Sequence, residues 1–255
     1  MKQYEQEFLY KTGGSRTAVT GLTERQKTIL QAVIREYVAT ASPVASAGIV
    51  RRFRLPYSSA TVRNELQALD DSGYLAQPHT SAGRVPTDKG YRFFINGLVS
   101  GDGLARREER VLAELRGTSD PAEFMKQSSR ILAHLTHTLA LSGFPAEELF
   151  YKSGLSDVMQ EPEFSDTSLV QEFSALVDMI EEDIMRFFDL EELVEPKTFV
   201  GAENPIRRAR HCGMIVFSST TPFAKSGMVA LLGPRRMDYA HNLTLLRHFR
   251  EMLMI

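Results

Sequence analysis

The stretch SSATVRNELQ, Ser58 to Gln67, gathers hydroxyl, amide, guanidinium and small methyl side chains in one short segment. Wound as a helix, it places Val62, Leu66 and Leu69 on one apolar stripe and Ala60, Asn64 and Gln67 on the opposite face, with Thr61 and Arg63 flanking. Amide side chains can bond bidentately to adenine, and the methyls of Ala60 and Thr61 can touch thymine. That face has the chemistry to read base edges in a major groove. Ser58, Ser59 and Thr61, beside the open N–H groups of a helix start, suit a phosphate. Downstream, the polar loop QPHTSAGRVPT presents His79, Thr80 and Arg84, and Lys89 follows, at positions that would rest on a nucleic-acid backbone or enter the adjacent minor groove. Upstream lies a basic cluster, Arg51, Arg52 and Arg54. A solvated helix followed by an ordinary hairpin fits the same letters, so the surrounding elements must decide.

Those elements are well marked. Thr23 and Gln26 stand in capping-box spacing with Leu22 just ahead, and Ile29, Leu30, Val33, Ile34 and Tyr37 give one apolar face, which predicts a first helix. Ser42 as cap and Pro43 at the first helical position predict a second, short helix that ends at the arginine cluster. The third begins at Ser58 or Ser59 and stops at Gly73, a left-handed C-cap. Tyr74 and Leu75 then start an extended segment, and Gly83 makes a tight turn with Arg84 near its tip. Three helices and a short hairpin make a winged helix-turn-helix. Met1 to Thr20 carry neither period and include KTGGSRT, which reads as a mobile arm.

The formal net charge of −2 hides a division along the chain. From Thr20 to Gly97 ten Lys/Arg stand against six Asp/Glu, a net of +4; from Pro145 to Phe199 fifteen acids stand against three bases, a net of −12. A basic module beside an acidic one suits a nucleic-acid reader joined to a partner or regulatory domain, although two solvated surfaces of opposite sign fit as well. No apolar run approaches the roughly 20 residues that cross a bilayer, and MKQYEQEFLY lacks the order of a signal peptide. A cytoplasmic protein with no membrane partner is expected.

Catalytic and metal chemistry find little support. His134 and His137 sit at helical spacing without a Glu-x-x-His or cysteine companion. Cys212, the one cysteine, follows His211, but neighbours on a strand point to opposite faces. Glu181, Glu182 and Asp183 form a surface charge run, and Arg207, Arg208 and Arg210 fit a loop between strands as well as an anion contact. We expect no enzyme, no cofactor and no metal.

The string SSATVRNELQALDDSGYLAQPHTSAGRVPTDKGYRFFINGLV resembles the HrcA family of bacterial heat-inducible transcription repressors, and VGAEN at Val200 to Asn204 and GPRRMDY at Gly233 to Tyr239 resemble that family's other signature segments. The resemblance implies a dimeric repressor that binds double-stranded DNA at an inverted-repeat operator of chaperone operons and answers to a GroEL-type chaperonin. It also implies a GAF-like domain carrying an inserted dimerisation domain. Here LALSGFPAEELFYKSGLSDVMQEPEFSD joins the flanking segments directly, so most of the insert and the first strands of that domain are expected to be missing. The expected fold is α+β: an arm over 1–20, a winged helix-turn-helix over 21–100, a helical linker over 101–144, and a reduced GAF-like α/β domain over 145–255. Within the last two, helices are predicted near Leu104 to Arg116, Pro121 to Leu141, Thr167 to Phe188 and Met237 to Leu253, with strands at Thr198 to Gly201, Cys212 to Ser218 and Gly227 to Leu232. The acidic helix carries an apolar stripe, Leu169, Phe173, Leu176, Ile180, Ile184 and Phe187, suited to its own core or to cover from a second chain. Two other readings stay open: a winged-helix adaptor that holds a protein, and a ligand-sensing module without sequence-specific DNA binding.

Overall fold

Capping and period build the first domain much as the letters indicate. The computed structural model describes residues 21–80, 82–98, 103–189 and 193–253; the arm expected over 1–20 lies outside them. Helix α1 (Glu24–Thr40) opens with the Thr23/Gln26 capping box, both reciprocal bonds being made. Helix α2 (Ser46–Arg52) and helix α3 (Ser59–Asp71) follow, and Ser58 caps α3 by accepting from the Thr61 N–H at 3.0 Å. Ile29, Leu30, Val33 and Ile34 of α1 meet Ile49 of α2 and Val62, Leu66 and Leu69 of α3 in one buried cluster. Gly73, at φ +74°, ends α3 in the left-handed conformation. The wing is a two-residue ladder of β1 (Leu75–Ala76) and β2 (Val85–Pro86), after which Thr87 caps helix α4 (Asp88–Asn96).

Helix α2 starts later than predicted. Val44 and Arg84 exchange both backbone hydrogen bonds at 2.9 Å, so the segment after Ser42 runs extended beside the wing instead of entering a helix at Pro43. A pairing across the fold thus overrides a local capping signal.

Beyond the short helix α5 (Arg106–Ala113) and a 3-10 turn to Gly117, helix α6 (Pro121–Thr136) leads into a five-stranded antiparallel sheet. Its strands are β3 (Leu139–Phe144), β4 (Leu149–Ser153), β5 (Lys197–Val200), β6 (Cys212–Thr220) and β7 (Ser226–Pro234), in the order β4-β3-β7-β6-β5. Two expectations fail here. The helix predicted to reach Leu141 stops at Thr136, where His137 takes a positive φ of 52°. The segment LALSGF, read as the end of that helix and the start of a direct junction, is an inner strand between β4 and β7, so the sheet takes residues assigned to the linker. All six of its residues are buried, which blurs the alternation that marks a half-exposed strand.

The sheet is covered on both faces by its own chain. Ala140, Phe144, Ile215, Phe217, Val229 and Leu231 belong with α6 and helix α9 (Tyr239–Leu253) to the same apolar cluster as the winged helix. Leu139, Leu141, Met214, Val216, Met228 and Leu232 face helix α8 (Thr167–Phe187), whose Phe173, Leu176, Ile180 and Ile184 are buried against them. The middle of that apolar stripe is therefore core, while Leu169 at one end is half-buried and Phe187 at the other is exposed. Between β4 and α8 lies α7 (Leu155–Val158), one turn long.

Charged contacts lock the two domains together. Arg92 on α4 pairs with Glu203 and donates to the Thr198 carbonyl at 2.7 Å. Asp88 meets Arg235 at 3.1 Å and accepts from the Ala202 N–H at 3.0 Å. Arg236, 9% exposed, holds Glu161 and Glu163 and donates to the Val38 carbonyl of α1 at 3.0 Å. Burial works against its charge, but the two carboxylates outweigh burial and push its pKa up. Gly201 is at φ +53°, and a β-carbon there would stand 2.2 Å from the Asp88 carboxylate, so both backbone and space require glycine.

Candidate nucleic-acid interface

Helix α3 rests on α1 through Val62, Leu66 and Leu69, which leaves the opposite face outward. Ser58, Ser59, Ala60, Arg63, Asn64 and Gln67 are exposed there, with Thr61 half-buried at the edge. The start of the helix is pinned: the Ser58 hydroxyl lies 2.9 Å from that of Thr61, and the Ser59 hydroxyl lies 3.2 Å from that of Ser46 at the start of α2. Two helix starts therefore stand side by side. The side chains of Arg63 and Asn64 make no hydrogen bond or ion pair among the described residues, so both are free to meet a ligand.

Beside this face runs a groove of about 630 Å³ between α3, the extended segment at Val44 to Ser46, and the wing. Arg63, Asn64 and Gln67 form one wall, Thr80, Ala82 and Gly83 the other. Gln77 shapes the wing by donating to the Thr80 and Ala82 carbonyls at 2.9 and 3.0 Å. Gly83 presses on the extended segment, where a β-carbon would come within 2.4 Å of the Val44 carbonyl oxygen. Close approach, not a tight turn, is what requires glycine there. His79 and Thr80 are exposed on the loop.

Three sequence candidates are placed otherwise than expected. Arg84 is not at the wing tip; it stands in the bridge to Val44, its side chain 13% exposed, folded onto α3 with Nε 2.8 Å from Asp70 and Nη2 donating to the Gln67 amide oxygen at 2.8 Å. Gln67 in turn donates to Asp71 at 2.8 Å, so both ends of its amide are engaged inside the protein. Lys89 lies on α4, not in the wing, and donates to the Ser72 carbonyl at 2.8 Å while standing 4.2 Å from the Tyr74 ring centre. It caps the far end of α3, about 20 Å from Ser59 at 1.5 Å per residue. Asp70, which holds Arg84, and Asp71, which holds Gln67, sit at the end of α3, far in the sequence from the wing, and nothing local marks them as its partners.

Of the arginine cluster, Arg52 pairs with Glu36 of α1 at 3.0 Å, whereas Arg51 is exposed. Further from the groove, burial pushes the Cys212 thiol up to about 12, which keeps it protonated. His211 turns to Glu172 at 3.1 Å. His134 and His137 are both exposed.

A family model described as the HrcA protein C terminal domain matches residues 89–242. The chain belongs to the HrcA family. A model of the LexA DNA binding domain matches residues 19–83, the part that contains α1 to α3 and most of the wing loop. Among curated proteins, the heat-inducible transcription repressor HrcA of Chloroflexus aggregans is 45% identical over 137 residues, covering 52% of this chain and 36% of that protein. The protein of the same description from Thermobifida fusca is 44% identical over 126 residues, covering 49% of this chain and 37% of that one. The match thus spans little more than a third of these relatives' length. A crystal structure described as that of a hypothetical protein superposes with a TM-score of 0.74 at 18% identity, covering 91% of this chain and 97% of that one, and shows the shared fold. The two C-terminal segments that resemble HrcA signatures, Val200 to Asn204 and Gly233 to Tyr239, are those that carry Gly201, Glu203, Arg235 and Arg236, the sheet-domain side of the charged lock.

Proposed function

We propose that the chain is a sequence-specific DNA-binding repressor of heat-shock chaperone operons that acts in the cytoplasm. The observation that carries the reading is the outward face of α3, where Arg63 and Asn64 stand free beside two pinned helix starts. Such a face enters a major groove with the helix start on the backbone and the free amide and guanidinium on base edges. Arg51 and the wing loop at His79 and Thr80 are placed to follow the phosphates on either side. Arg52 is held partly in reserve by Glu36.

An inverted-repeat operator presents two equal half-sites, so the active form on DNA is a homodimer. The α8 stripe is taken up within the chain from Phe173 to Ile184, which leaves its end, Phe187, with Leu155, Met185 and Val194 as exposed large apolar groups among the described residues for a second copy. A GroEL-type chaperonin as partner rests on the family alone.

The test is a salt-titrated gel shift on an inverted-repeat duplex that the protein itself enriches from a randomised library, beside its scrambled counterpart. The reading expects a clear preference and a log–log salt slope near −5, from about six phosphate contacts per dimer. Equal affinity for both duplexes at every salt concentration would turn the winged helix into a holder of protein. Sedimentation of a monomer on the full duplex would remove the dimer.

A further inference from the structure

We propose that Arg84 is a positioning residue, a strut that sets the wing against α3, and that it makes no contact with DNA. The inference rests on the DNA-binding reading and deepens it, because it divides the groove residues into those that touch DNA and those that hold the shape.

The geometry favours the strut on three grounds. First, the guanidinium is spoken for: Nε is 2.8 Å from the Asp70 carboxylate and Nη2 donates to Gln67 at 2.8 Å, with the side chain 13% exposed. Meeting a phosphate would mean leaving a carboxylate that already supplies the same charge at 2.8 Å. Second, the backbone of Arg84 is fixed by two hydrogen bonds to Val44, so the side chain is anchored at its root and its tip. Wing, extended segment and α3 meet at this one residue. Third, the strut engages Gln67: its oxygen accepts from Arg84 and its NH2 donates to Asp71, so turning the amide onto adenine would disturb both bonds. Reading therefore falls to Asn64 and Arg63, one turn nearer the helix start, and the strut fixes how far the wing wall stands from them.

A strut and a phosphate contact respond oppositely to loss of Asp70. If Arg84 meets phosphate, Asp70 competes for it and repels DNA, so Asp70→Asn tightens binding to any duplex. If Arg84 is a strut, Asp70→Asn releases it and weakens discrimination. The experiment measures operator and scrambled affinities, over a salt range, for the wild type, Arg84→Met, Arg84→Lys, Asp70→Asn and the Arg84→Met/Asp70→Asn double variant, each first shown to melt cooperatively. The library-enriched duplex serves as operator.

The strut account expects the operator-to-scrambled ratio to fall about tenfold in Arg84→Met and in Asp70→Asn, and the double variant to be no worse than the worse single one, as for two ends of one contact. The salt slope stays at the wild-type value, since no phosphate contact is lost. Arg84→Lys recovers only part of the ratio, because one ammonium cannot span Gln67 and Asp70 as a planar fork does. The strut is overturned if Arg84→Met lowers the slope by about one per site while Arg84→Lys keeps it. Tighter binding by Asp70→Asn overturns it equally. Should Arg84→Met fail to fold, Asp70→Asn still decides by the sign of its effect. A wild type without preference between the duplexes removes the DNA-binding reading and the strut with it; a selective wild type with either overturning pattern removes the strut alone.

Discussion

Replacing Arg236 with methionine keeps most of the stem and deletes the charge that joins the sheet domain to α1. In the structure Arg236 is 9% exposed, and its guanidinium is held by Glu161, Glu163 and the Val38 carbonyl. Breaking a buried ion pair costs roughly 3–5 kcal/mol, mostly because the partner is left charged and unpaired. Here the two carboxylates keep 27% and 28% of their side-chain exposure, so water relieves part of that burden. A loss of about 2–3 kcal/mol remains, together with an unpaired Val38 carbonyl. For a chain of this size each kcal/mol moves Tm by roughly 2–4 °C, so calorimetry should show the transition falling by about 4–12 °C. Adding Glu161→Gln and Glu163→Gln to Arg236→Met removes the stranded charges and should recover more than half of the loss. A methionine variant that melts with the wild type would refute the lock, and so would a triple variant no better than Arg236→Met.

Three other sites carry expectations of their own. Gly201→Ala meets both a positive φ and the Asp88 carboxylate, so chemical denaturation should find it at least about 1–2 kcal/mol less stable than wild type, and a neutral substitution there would contradict the close packing. The Cys212 thiol is buried and its pKa is pushed up to about 12, so a thiol reagent at pH 8 should label the native protein far more slowly than the unfolded one. Because the folded value lies above the unfolded one of about 8.5, stability due to this thiol is full below that pH and declines as pH rises toward 12. Burial raises the pKa of Glu108, but hydrogen bonds from His241 and the Ala105 N–H outweigh it and hold the carboxyl below the usual range. Its contribution to docking α5 on α9 is present above about pH 4.3 and lost as pH falls through the lower folded value, so wild type and Glu108→Gln should differ in stability at pH 6 and converge in strong acid.

Much of the first domain is legible in its letters, because caps and helical period are local. Thr23 with Gln26, Ser58 with Thr61, and Gly73 each do what their spacing indicates. What escapes is set by distant partners. Ser42 and Pro43 look like a helix start until Val44 pairs with Arg84 across the wing. Arg84 looks like a loop-tip cation until Asp70 and Gln67, on another element, draw it in. LALSGF carries no alternation because both of its faces are covered, one by α6 and one by α8, so it reads as the tail of the helix before it. On α8 the stripe was legible, but whether its cover came from this chain or another depended on that hidden strand.

Whether the free face of α3 reads sequence is decided by the base preferences of Asn64→Ala. Wild type and variant would each be equilibrated with a library in which every position of the enriched duplex is varied singly, and bound and free fractions sequenced. The variant should lose preference at one base pair in each half-site, symmetrically, by about 1–3 kcal/mol, with its affinity for scrambled DNA little changed. An unchanged preference profile, or a uniform weakening at all positions, would mean that α3 docks without reading.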